Sequence, residues 1–493
     1  MRDFSSYLES QSIRYQTRIK QGAFVPIKPL ESSAFKTTAL YISLALVITS
    51  IAILPFSYSV ISIKLPVNLL FIALGVLALG FWREYRELAR ALGGIWLALV
   101  CLLVVIIMAY ISLFWAVDSK ATLQAIRQYL LEPSVFLLLG FLLTTRLDDR
   151  GLRLLLIGLC LALSYHPIAT IWDFFANGGG RFGYRAMLPG YHTPQTVYVF
   201  YLLFPLGLAL GFSMMVSGIK RAVAFGAVLV CCAALIANGG RFAILAGVAM
   251  LLVPFLICSY KYKRYILLGL SILVCSLGLL LYVMSKNWEA RYNFYSMVQN
   301  FSTIWHTNPA QMGQFTYCDE SFCSPHSLDE RSNIQWEYSS LARLSMLKST
   351  LLAIAQNPFR PNGYHFQQFP QNITKIFLPD SLYYPFTYHW HAHNHNYIIS
   401  LWFELGFIGF GAVAAFMLYI FAQWYAKKLP LNGVHIVCKS RAILLCGVGI
   451  GLFGLIVSNL FDCLPVRDGQ IVLFLLLGIM LATITPKDYN AIS

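Results

Sequence analysis

Charge is scarce in this chain. Only 12% of its 493 residues are Asp, Glu, Lys or Arg, against 58% hydrophobic, where a soluble domain carries roughly 25% charged residues. With a mean hydropathy of +0.66, the composition excludes a soluble globular protein and indicates one whose solvent is the bilayer. The first 36 residues (MRDFSSYLESQSIRYQTRIKQ…) lack an early apolar core, so no cleavable signal is expected and the first span should serve as its own insertion signal. Repeats of fixed period and low-complexity linkers are also missing.

What is present is a series of apolar runs, at about 38–56, 66–82, 93–116, 128–144, 153–173, 195–216, 222–238, 241–259, 265–284, 396–424, 442–460 and 469–485. Each is near the roughly 20 residues that cross the hydrocarbon core. They predict an all-α, polytopic membrane helical bundle of about twelve transmembrane helices. Of the 36 lysines and arginines, 22 fall in segments that are inward when the N-terminus is inside. Seven of the other 14 lie in one long loop. That asymmetry predicts cytoplasmic termini and an outward-facing loop. The layout expected is a cytoplasmic tail over 1–36, a transmembrane domain over 37–485, a helical outer loop over 285–395 inserted between the ninth and tenth helices, and a cytoplasmic tail over 486–493. The net charge of +15 is therefore an orientation signal, and no nucleic-acid partner is expected.

Most of the eleven cysteines fall in the spans, where they read as small apolar residues. Cys318 and Cys323, in CDESFC of the outer loop, are placed to pair in an oxidising compartment. Gly449, Gly451 and Gly454 spell GxGxxG inside an apolar span, where close helix packing is the better reading than dinucleotide binding. Asn300-Phe301-Ser302 and Asn372-Ile373-Thr374 match a glycosylation pattern short enough to arise by chance. The long loop carries seven basic and seven acidic residues, so it is no sponge for a polyanion. Leu341, Leu344, Leu347, Leu351 and Ile354 predict a helix within it that stops at Asn357-Pro358.

The chemistry-bearing residues gather at the outward ends of the spans. His389, His391, His393 and His395 alternate just before the tenth span, and in an extended segment they would share one face, which leaves zinc conceivable. Arg181 and Arg185 lie between the fifth and sixth spans. Gly239-Gly240-Arg241 turns between the seventh and eighth, where two glycines let backbone approach a ligand closely. Arginine pairs bidentately with phosphate at any relevant pH, and histidine accepts a proton near neutrality. Arginines at the outer interface thus suit the diphosphate of a lipid whose tail stays in the membrane. The short outward loops hold no carboxylate pair and no Asp-x-Asp-like cluster, so metal-assisted sugar transfer is disfavoured and arginines would offset the leaving-group charge. The bland alternatives are arginines that snorkel to headgroups and a Glu404 that only braces a neighbour. A transporter would gather its polar groups at the midplane in paired repeats, which this pattern does not show.

His395-Asn396, an apolar stretch, and then Glu404-Leu405-Gly406-Phe407-Ile408-Gly409 resemble the tail motif of the O-antigen ligase/polymerase superfamily of bacterial envelope glycosyltransferases. In that motif a His-Asn pair is followed, nine residues after the His, by Glu-x-Gly-x-x-Gly. His393, two residues earlier, matches a second histidine often found there. Arg241 resembles the family's turn arginine, though Gly-Gly-Arg-Phe replaces a Ser-Arg-Gly-like turn. Arg185 ahead of His192-Thr193-Pro194 resembles its outward arginine segment loosely, and Arg343 to Gly363 its loop helix. The resemblance implies a metal-independent, inverting enzyme without cofactor at the periplasmic face of the bacterial inner membrane. It would move a glycan from an undecaprenyl-diphosphate carrier to an acceptor: lipid A-core, another glycan or a protein. It further implies His395 and His393 as catalytic residues, with Arg241, Arg185 and Arg181 on the diphosphate. Asn396, Glu404, Gly406 and Gly409 would be supporting residues, and ligase is favoured over polymerase and oligosaccharyltransferase.

Overall fold

The computed structural model describes residues 34–58, 61–176, 185–186, 192–193, 195–257, 294–317, 336–365, 368–386, 393–428, 439–462 and 466–484. Among the described residues the helices are, in chain order, α1 (Ala34–Ile53), α2 (Lys64–Phe81), α3 (Tyr85–Gly93), α4 (Trp96–Ile111), α5 (Ser119–Ile126), α6 (Glu132–Arg146), α7 (Asp149–Ala176), α8 (Gln195–Met215), α9 (Ile219–Asn238) and α10 (Arg241–Ile257). They continue with α11 (Phe294–His306), α12 (Tyr338–Gln356), α13 (Phe369–Ile376), α14 (Tyr397–Lys428), α15 (Lys439–Asn459) and α16 (Arg467–Ile484). Two minimal strand pairs accompany them, β1 (Arg185–Ala186) with β2 (His192–Thr193), and β3 (Thr316–Tyr317) with β4 (Trp336–Glu337).

The protein is an all-α, multi-pass membrane bundle. Nine described helical segments are long and apolar enough to cross a bilayer, and two shorter apolar helices, Val199–Met215 and Arg241–Pro254, stand with them. Eleven of the expected spans thus coincide with helices, while the ninth, 265–284, lies outside the described residues. The largest boundary shift is in the fourth span. The fourth span runs from Ser119 to Arg146 rather than 128–144, because α5, built from the helix formers of SKATLQAI, continues into α6 through a π-helical turn at Arg127–Leu131.

Helices cross where side chains are missing. A Cβ on Gly207 would lie 2.7 Å from Gly451 N, and one on Gly211 would lie 2.8 Å from Gly447 N. Two four-residue glycine spacings therefore set the α8–α15 crossing, the small-residue packing expected between membrane helices. The GxGxxG run is used the same way: Gly449 lies under Trp424, Gly451 against Phe204 and Gly454 against Met250. α6 and α16 cross closely at Gly140 and Gly478, each of which faces the backbone of the other helix.

The bundle has two chemically distinct ends. At one, Lys36, Arg146, Glu84 and Glu87 form an ion-pair network. At the other, α14 begins beside the end of α4: Tyr364 N donates to Ser112 Oγ at 3.0 Å there, whereas Tyr419 Oη donates to Gly94 O at 3.3 Å near the opposite end of the same two helices. α14 thus runs antiparallel to α4, and its histidine-bearing entrance lies at the end away from the network. The predicted loop helix is α12, which stops at Asn357 as its Asn-Pro signal requires. It packs against α14, α13 and a 3-10 segment at Pro309–Phe315.

Candidate functional site

The Glu-x-Gly-x-x-Gly motif turns out to be a joint. Gly406 has φ +68 and ψ 175 and breaks α14 into two helical pieces. A Cβ there would meet the carbonyl of Phe359, so only glycine serves at this approach. The segment after α12 docks on the break. Pro358 O accepts from Phe407 N at 2.9 Å and from Trp402 Nε1 at 3.0 Å, and Phe403 O accepts from Asn362 Nδ2 at 3.0 Å. Glu404, buried, accepts the backbone N–H of His365 at 2.9 Å, which fixes a turn whose Gly363 and His365 both have positive φ. Gly409 lies tightly against Met108 of α4. Glu404, Gly406 and Gly409 hold the 357–365 segment on the bundle, and none of them touches His393 or His395 in the contacts described.

Asn396 Oδ1 accepts from Ile399 N at 3.0 Å and caps α14, while its Nδ2 donates to Leu460 O at 3.0 Å. Asn394 Oδ1 accepts from Asn396 N and Ser400 Oγ. The entrance of α14 is thereby stitched to the turn after α15, and that turn carries Asp462.

Asp462 is the centre of the cluster and is 1% exposed. His395 Nδ1 lies 3.2 Å from Asp462 Oδ1, His393 Nε2 lies 4.0 Å from the same oxygen, and Arg343 Nη2 of α12 lies 3.9 Å from Oδ2. His395 is not extended: its φ is +56, and its N–H donates to His393 Nδ1 at 3.2 Å. The two rings therefore meet with centroids 4.2 Å apart through a turn, not along one face of a strand. Burial by itself would raise the Asp462 carboxyl, but the hydrogen bond with His395 and the electrostatic interactions with His395, Arg343 and His393 outweigh it and hold it below the ordinary carboxylate range. Burial pushes the His393 imidazole down to about 3, with His395 and Arg343 adding to the shift and Asp462 opposing it.

The ligating atoms of His393, His395 and Asp462 all lie within 4.8 Å of one another, a spacing that can hold a metal ion. The donor set argues against a resident cation: a guanidinium stands 3.9 Å from the only carboxylate, where it already supplies positive charge.

Arg241 opens α10 after Gly239, whose φ of +72 closes α9. Its Nη2 donates to Glu337 Oε2 at 3.1 Å and to Ser340 Oγ at 3.2 Å. Ser340 and Arg343 are three residues apart, on one face of α12. Arg241 and His395 are accordingly linked across a single helix face, by way of Ser340, Arg343 and Asp462. Arg185 pairs through its backbone with Thr193. Arg181, His389, His391, Cys318 and Cys323 lie outside the described residues. Asn372 of the glycosylation-like pattern is buried, at 2% exposed.

Below the cluster is an apolar cavity of about 260 Å³ between α4, the π turn, α14, α15 and α16. Its walls include Val105, Leu401, Val413, Leu455 and Leu477, and Tyr129, Tyr364, Tyr397, Asn459 and Gln470 bring its polar groups. Tyr397 and Asn459 lie two and three residues from His395 and Asp462. The cavity therefore reaches towards the cluster.

The sequence pattern gives Asp462 no role, and places Arg343 only in a loop helix. An acidic residue at the end of an apolar span is the available signal for Asp462, since such a group is costly there without a use.

Residues 226–414 match the family model described as O-antigen ligase. The match bears out the resemblance read from the sequence, and it takes in Arg241, Arg343, His393, His395 and the Glu404–Gly409 motif while ending before Asp462. No curated protein matches the chain.

Proposed function

We propose that this membrane protein, O-antigen ligase-like over residues 226–414, transfers a glycan from an undecaprenyl-diphosphate carrier to lipid A-core at the periplasmic face of the bacterial inner membrane. The family match supports glycan transfer of the ligase or polymerase type in general. The observation that carries the finer reading is the convergence of His395, Asp462 and Arg343 above an apolar cavity.

In this reading Asp462 holds the proton of His395 on Nδ1 and leaves Nε2 to act as base. His395 Nε2 removes the proton of an acceptor hydroxyl, and that oxygen bonds to the anomeric carbon as the bond from that carbon to the donor's phosphate oxygen breaks. The electron pair leaves with the diphosphate. Attack opposite the leaving group inverts the anomeric centre. Arg343 and Arg241 offset the charge that develops on the diphosphate, Arg185 and Arg181 are the remaining candidates for its outer side, and no metal or cofactor is invoked. The cavity accepts part of the polyprenyl tail. His393, half-buried and neutral, receives the N–H of His395 and sets its turn, a positioning role. The outer segment, 285–395, forms the acceptor side.

The lipopolysaccharide of a deletion strain tests this. A ligase predicts loss of the whole ladder with intact core. A single added repeat would make the protein a polymerase, and unchanged lipopolysaccharide with a lost glycoprotein would make it an oligosaccharyltransferase. Full activity in both His395→Ala and Arg343→Ala would sink the site assignment.

A further inference from the structure

Arg241 is held at the start of α12 by a carboxylate in a setting suited to a phosphate. Glu337 Oε2 accepts from Arg241 Nη2 at 3.1 Å and from Ser340 Oγ at 2.6 Å, and the two charged side chains are 17% and 16% exposed. Glu337 occupies the N-cap position of α12, yet its side chain makes no cap hydrogen bond; it turns to the arginine instead. A guanidinium, a hydroxyl and the first turn of a 19-residue helix together make an anion site. Here an internal carboxylate oxygen sits in it. Arg343 lies one turn further along the same face.

We propose that Glu337 is a built-in stand-in for one phosphate of the donor, displaced when the diphosphate binds to Arg241, Ser340 and Arg343. The proposal rests on the glycan-transfer reading above. The exchange is favoured because a carboxylate carries one negative charge, whereas a diphosphate carries more and offers oxygens to Arg241 and Arg343 alike. In the resting protein the pairing balances the half-buried charge of Arg241. After transfer the same carboxylate competes with the lipid diphosphate product and hastens its release. Glu337 is thus a positioning residue that sets a threshold for anions, admitting a diphosphate in preference to a single phosphate.

The test is binding of inorganic diphosphate to the purified full-length protein by titration calorimetry, with thermal unfolding as the folding control. Glu337→Gln keeps the shape and the hydrogen bond with Ser340 but removes the competing charge. It should bind inorganic diphosphate about tenfold more tightly than the natural protein, a difference of ~1.4 kcal/mol, and should narrow the preference for diphosphate over monophosphate. In turnover, KM for the lipid-linked donor and kcat should both fall. A merely structural Glu337 predicts the reverse, with weaker binding and a higher KM, and that result overturns the proposal. Equal binding by both proteins, lost in Arg241→Lys, also overturns it while leaving the donor site in place. Diphosphate binding by neither protein overturns both the proposal and the donor site. A gain seen only for phosphatidylglycerol in nanodiscs, and not for diphosphate, would assign the site to a lipid headgroup and overturn the proposal as well.

Discussion

His395 Nδ1 stands 3.2 Å from Asp462 Oδ1 although 67 residues of chain separate them. The contact exists because Asn396, next to His395, also donates to Leu460 O two residues before Asp462. One capping side chain therefore sets the register between an imidazole and its carboxylate partner. On the proposed mechanism, Asp462→Asn should keep the fold and lower kcat by on the order of 10²–10⁴. The double variant Asp462→Asn/His395→Gln should be little worse than His395→Gln alone, since groups acting as a unit are not additive. Purified-enzyme kinetics decide this, and independent, additive losses would show that the two residues do not act together.

Arg343 offers a planar fork beside the pair, and lysine cannot reproduce it. Arg343→Lys should raise KM for the donor about tenfold or more, with a smaller change for the acceptor. Equal effects on both substrates would place Arg343 outside the donor site.

The depressed His393 imidazole gives a pH dependence of stability. Its folded value is about 3 against an ordinary 6.5. Between these the unfolded chain binds a proton that the folded chain does not, so stability must fall as pH drops from about 6.5 towards 3. Asp462, held low, keeps its contribution above its unfolded value and loses it only under stronger acid. His393→Asn should flatten the decline in Tm below pH 6.5. A decline unchanged by the substitution would show that other groups cause it.

Gly406 and Gly411 lie in the same helix and differ in what a methyl group meets. At Gly406 it meets the Phe359 carbonyl at positive φ; at Gly411 nothing lies within 4 Å. Gly406→Ala should therefore undock the 357–365 segment and reduce folded protein in membranes, while Gly411→Ala should leave abundance unchanged. Comparable abundance of the two variants would refute the joint.

Filling the cavity tests the tail site. Val413→Trp places bulk in an apolar wall, and it should raise KM for a donor with a full polyprenyl chain more than for a short-chain analogue. The same loss with both donors would remove the tail from this cavity.

Some of this was legible in the chain and some was not, for identifiable reasons. The spans were readable because lipid permits few solutions for an apolar run of ~20 residues. The stop of α12 was readable because Asn357-Pro358 acts locally. The His-Asn and Glu-x-Gly-x-x-Gly pattern pointed to the right end of the bundle, but its division of labour did not show. Gly406 lies against the backbone of Phe359 and Glu404 is bonded to that of His365, some 40 residues earlier, contacts that no local spacing encodes. The histidines read as a strand-like ladder because alternation suggests extension. The positive φ of His395, held by Asn396 and by the His393 ring, turns the last two of them towards each other.

Sequence by itself determined the solvent, the all-helical class and the end at which ionisable groups gather, since burial in lipid acts on each residue through its own transfer free energy. Tertiary structure alone decided which groups meet. Asp462, Arg343 and His395 come from three separate elements, and only helix crossings at glycine contacts and one bridging asparagine bring Arg343 and His395 within 4 Å of Asp462.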